Sequence, residues 1–203
     1  MKKAFTMLEL VFVIVVIGIL SIFIAPKMQN DRLNELAHQI ITDLRYTQHL
    51  AMQDNKFDAT KDDWHKTRWQ LSFNVDTTSN LYYTVWSNKN KNNAFSKNEV
   101  AIDQATRKWM TGRSTSPFEN IYIESMDLRN EYDIKSYSIC GLASNKRIYF
   151  DYLGRAYIRD TVFGDDRFSG MLPSDCNLTL TNSDGKNVTI TITAETGYAY
   201  IAR

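Results

Sequence analysis

A chain of 203 residues, 43% hydrophobic and 23% charged, has room for one apolar helix and one domain of about 150 residues with its own core. A formal charge of +1 excludes strong global attraction to nucleic acid. His38, His49 and His65 are scattered, and no nucleophile elbow, zinc motif or phosphate-binding loop occurs, so neither enzyme activity nor a metal or other cofactor is expected.

Lys2 and Lys3 precede an apolar run, residues 5–25, in which Glu9 is the only ionisable side chain. As a helix rising about 1.5 Å per residue, the run would be about 31 Å long, which matches the hydrocarbon thickness of a bilayer. An acid inside such a segment costs roughly 2.5–3.5 kcal/mol on insertion scales, so Glu9 calls for a cationic partner. The small-x-small pattern of ordinary signal cleavage is missing, because Phe23 stands two residues before Ala25 and Pro26 follows it. Pro26 removes one backbone hydrogen bond and predicts a kink. Beyond it Leu33, Leu36, Ala37, Ile40, Ile41, Leu44, Gln48 and Ala51 recur at three- and four-residue spacing, with Asp31, Arg32, Glu35, Asp43 and Arg45 on other faces, which predicts an amphipathic continuation to about Asn55.

Residues 55–66 are polar and read as a loop. Period-two patterns follow. Residues 68–75 and 81–86, separated by turn formers at 76–80, predict a β-hairpin, and residues 87–98, rich in Asn and Lys, predict an exposed loop. Ile121 and Ile123 alternate within residues 120–128, and residues 135–140 form a further strand candidate. Residues 147–151 and 155–158 flank a turn at Gly154. Residues 161–175 are irregular. The last third predicts strands at 176–181, 187–193 and 198–201. The expected architecture is α+β: a long N-terminal helix, its first half membrane-spanning and its second amphipathic, packed on antiparallel β-sheet.

Lys2-Lys3-Ala4-Phe5-Thr6-Met7-Leu8-Glu9-Leu10 resembles the class III signal of type IV pilins and type II secretion pseudopilins. The resemblance implies a leader of residues 1–4, cut by prepilin peptidase between Ala4 and Phe5, and N-methylation of Phe5. Thr6, Glu9, Gly18 and Pro26 stand where pilin helices commonly carry them, while the family usually has Gly in place of Ala4. Leu44-Arg45 with its following helix, the segment Phe150-Asp151-Tyr152-Leu153-Gly154, and the closing Thr196-Gly197-Tyr198-Ala199-Tyr200-Ile201 are similar to segments of GspH/FimT-type minor pseudopilins.

What this implies is a transmembrane segment at 5–25, a helical continuation at 26–55 and a β-rich periplasmic domain at 56–203, held in the inner membrane by a single pass. The function implied is that of a minor pilin or pseudopilin in a type II secretion, type IV pilus or competence machine. Its partners would be other such subunits, prepilin peptidase and the inner membrane. Glu9 would meet the N-terminal amine of a neighbour's Phe5 and set axial register.

The alternative is a membrane-tethered periplasmic binding module with DNA as its candidate ligand. One branch of the family binds DNA through a Gly-Arg-x-Arg motif near the C-terminus, and Gly197-Tyr198-Ala199-Tyr200 lacks both arginines. Arg155 and Arg159, or Lys89, Lys91, Arg107, Lys108 and Arg113, are the candidate substitutes, since phosphate binding needs clustered cations; solvated surface charge is the plainer reading. Asp160, Asp165, Asp166 and Asp175 offer oxygen ligands without an EF-hand spacing. Cys140 and Cys176 would form a disulfide if the domain lies outside the cytoplasm, and would otherwise be two buried thiols.

Overall fold

The computed structural model describes residues 6–92, 94–144, 146–158, 168 and 170–202, the side chains of 22–31 excepted. Thr6 is the N-cap of helix α1 (Met7–Gln53). Its hydroxyl accepts from the Glu9 amide at 3.3 Å, and the Glu9 carboxylate accepts from the Thr6 amide at 3.2 Å, a capping box that satisfies two otherwise orphaned donors. At the other end the Asp54 amide donates to the Leu50 carbonyl.

The expectation of a membrane-spanning first half is overturned. Among the described residues no helix is long and apolar enough to cross a membrane. The fold class is therefore corrected to an α+β arrangement with two antiparallel sheets, without the expected spanning helix. The single-pass inner-membrane localisation with a periplasmic domain rested on that span and is corrected with it.

The first sheet has the order β2-β1-β4-β5, from β1 (Trp69–Val75), β2 (Leu81–Ser87), β4 (Arg147–Phe150) and β5 (Ala156–Tyr157). The second has the order β3-β6-β7-β8, from β3 (Ile134–Ile139), β6 (Cys176–Asn182), β7 (Asn187–Ile192) and β8 (Ala199–Ile201). All pairings are antiparallel. α1 touches β1 and β4 of the first sheet and β7 and β8 of the second. Its Leu33, Leu36, Ala37, Ile40, Ile41, Leu44 and Ala51 are buried there, one stripe at helical spacing. Phe73 of β1 stacks on Tyr137 of β3 at 4.6 Å and joins the two sheets through the core.

β2 is buried along its whole length, because both of its faces are covered. Leu81, Tyr83 and Val85 enter the main core, whereas Trp86 packs with Val100 and Phe118 in a second cluster. That cluster belongs to the long excursion between β2 and the short helix α2 (Leu128–Tyr132). Residues 120–128, expected as a strand, form only isolated bridges, a single 3-10 turn (Glu124–Met126) and the start of α2. Asp127 explains the change: its carboxylate accepts from the Asn130 amide at 3.0 Å and so starts a helix where alternation suggested a strand.

Both sheets and α1 meet at Gln48. Its Nε2 donates to the carbonyls of Gly154 and Thr196, each at 2.7 Å, so one helix side chain holds the β4–β5 turn and the β7–β8 turn together. Gly154 and Gly197 both have positive φ, 82° and 64°, and a Cβ on Gly197 would lie 2.6 Å from the Gly154 carbonyl oxygen. Only glycine fits that approach.

Candidate functional site

Residues 7–21 expose apolar side chains all round the helix, from Met7 at 84% through Phe12 at 69% and Ile14 at 61% to Val16 at 37%. A helix lying on its own domain hides one stripe and shows a polar face, and this stretch does neither. Among the described residues the main core begins at Leu33, and residues 7–21 stand outside it. An exposed apolar surface of this extent is a candidate interaction surface.

Glu9 is the only acid in the first turn of α1. Its Oε2 accepts from the Thr6 amide at 3.2 Å and the Thr6 hydroxyl at 3.1 Å, while Oε1 has no partner among the described residues. Ala4, Phe5 and Arg159 lie outside the described residues, as does the side chain of Pro26. Cys140 and Cys176 form a disulfide, which ties the end of β3 to the start of β6 across 36 residues.

Arg155 does not project as a free cation. Its Nε and Nη2 reach Asp151 Oδ2 at 2.8 and 2.7 Å, and Asp151 is itself buried. Asp151 also accepts from the amides of Leu153 and Arg155, each at 3.0 Å, and from the Tyr157 hydroxyl at 3.0 Å. The Phe150-Asp151-x-x-Gly154 segment is therefore a turn organiser in which the carboxylate gathers five donors. Of the acids proposed as oxygen ligands, Asp160, Asp165 and Asp166 lie outside the described residues. Asp175 accepts from the Ala194 amide at 3.1 Å. Among the described residues no group of three or more metal-ligating side chains occurs.

Two titratable groups meet at the join between α1 and the sheets, Asp43 and Tyr83. Tyr83 donates its hydroxyl to Asp43 Oδ2 at 2.6 Å, and Gln39 Nε2 donates to the Tyr83 hydroxyl at 3.1 Å and to Ser125 Oγ at 2.8 Å. Burial pushes Asp43 up to about 6, against the opposing effect of the Tyr83 hydrogen bond. Burial and the adjacent Asp43 charge likewise push Tyr83 well above its ordinary value.

Sequence reasoning placed Arg45, Gln48 and Asp43 on the amphipathic helix but gave none of them a contact. Each contacts a residue at least 40 positions away, up to 154 for Arg45 and Ala199. The available signal was a polar side chain set inside the apolar stripe, as Gln48 is. No protein-family model matches the chain, and no curated protein or solved structure is detectably similar to it.

Proposed function

We propose that the chain is a pilin-like subunit, a minor pilin or pseudopilin, that assembles with other such subunits through residues 7–21. The observation that carries this reading is the apolar helix surface exposed on every face, outside the domain's own core. A two-chain coiled coil covers one seam of each helix. Covering all faces takes several neighbours, which is what repeated head-to-tail packing into a helical filament supplies.

Glu9 fits a second part of the reading. With Oε2 engaged by the helix cap, Oε1 remains available to accept from a cation on a neighbour, and under the resemblance that cation is the methylated amine of Phe5. Among packed apolar helices an unpaired carboxylate is strongly disfavoured, so the pair would reward one axial register over others. Prepilin peptidase is the processing partner this reading requires. The intact mass of the protein recovered from its host tests it. Loss of residues 1–4 with one added methyl group supports assembly, and an intact leader contradicts it.

A further inference from the structure

A groove of about 560 Å³ runs between α1 and β8, lined by His38, Ile41, Thr42, Arg45, Tyr200 and Ile201. Arg45 organises it. Its Nη2 donates to the Ala199 carbonyl at 3.1 Å, and its guanidinium carbon lies 4.8 Å from the centre of the Tyr198 ring. Tyr198 is in turn stacked against Tyr200, ring centres 6.2 Å apart. Among the described residues no carboxylate pairs with Arg45 or His38. The guanidinium is thus held in place by an aromatic ring and a carbonyl, with no carboxylate partner among the described residues.

The backbone decides what kind of ligand can enter. The Tyr198 carbonyl and the Ala202 amide bond across to β7, so by strand alternation the Ala199 carbonyl faces the open edge of β8. Arg45 occupies that carbonyl and closes the edge to an added peptide strand. The groove volume lies within the range of roughly 300–1,000 Å³ that suits small ligands.

We propose that this groove binds a carboxylate carried on a ring, either a uronic-acid-type sugar or an aromatic acid. The planar guanidinium fork matches a carboxylate in two-point contact better than it matches a spherical anion. His38 stands on the same wall. Tyr200, 41% exposed, forms an apolar seat with Ile41 and Ile201 on which a ring face can lie. The site is independent of the assembly reading, because none of its residues belongs to the exposed stretch 7–21.

Saturation-transfer NMR on the full chain, kept dispersed in mild detergent, tests the site with four probes: glucuronate, phenylacetate, neutral glucose and inorganic phosphate. The expected result is transfer to glucuronate or phenylacetate, whichever ring the seat prefers, and none to glucose or phosphate. Arg45→Gln should weaken binding about tenfold or more, as loss of a charge-assisted contact does. Tyr200→Ala should weaken the ring ligand while leaving circular dichroism unchanged, and it decides the matter if Arg45→Gln fails to fold. Absence of transfer to both ring acids, equal transfer to phosphate, or binding indifferent to both substitutions would overturn the proposal.

Discussion

Asp43→Asn removes the one carboxylate that burial holds near neutrality where α1 meets the sheets. The folded chain binds the Asp43 proton more tightly than the unfolded chain, because its value rises from 3.8 to about 6. The stabilisation this represents is complete below pH 3.8, declines as pH rises through about 6, and is gone above it. A shift of about two units at 1.36 kcal/mol per unit amounts to on the order of 3 kcal/mol. Asn keeps an oxygen to accept from the Tyr83 hydroxyl but does not titrate. The assay is urea unfolding between pH 3.5 and 7.5 of the fragment beginning at residue 32, which retains the whole main core from Leu33 onward. The native fragment should lose stability over this range relative to Asp43→Asn, by a few kcal/mol. Parallel curves for the two proteins would refute the assignment.

Four other outcomes follow from the packing. Gln48→Leu leaves two turn carbonyls without their donor and should cost about 1–3 kcal/mol, read from the urea midpoint. Gly197→Ala should cost at least about 1 kcal/mol, from its positive φ and the 2.6 Å approach to the Gly154 carbonyl. Reducing Cys140–Cys176 frees a 36-residue loop and should lower stability by about 4 kcal/mol on the chain-entropy account, measured with and without dithiothreitol. Starting the chain at residue 22 removes the exposed stretch 7–21 and should change the melting free energy of the domain by less than about 0.5 kcal/mol, as removal of surface does. The same deletion should abolish self-association in sedimentation; a deletion product that unfolds would show that the N-terminal stretch is part of the core.

Local chemistry explains which parts of the fold can be read from residues. The β1–β2 hairpin is legible because two runs rich in β-branched and aromatic residues flank a turn that Asp76 builds itself, its carboxylate accepting from the amides of Thr78 and Asn80. The terminal β6–β7 pair is legible for the same reason, with Gly185 supplying the positive φ of its turn. The excursion before α2 is not, since its order rests on single bridges and on Trp86 and Phe118, contacts that leave no period in the sequence. Residues 5–25 suggest a bilayer span, and among the described residues no helix is long and apolar enough to cross a membrane. The site divides similarly: Glu9 is conspicuous as an acid among apolar residues, but the Arg45–Tyr198 contact joins residues that nothing local connects.

The charge on Glu9 offers the most direct test of assembly through the helix. Glu9→Gln retains an oxygen for the Thr6 cap but removes the charge, so helix α1 and the domain should remain intact. Incorporation of Glu9→Gln into filaments, quantified beside the native chain in its host, should fall as far as it does for Glu9→Ala. Native incorporation of both variants would contradict the account.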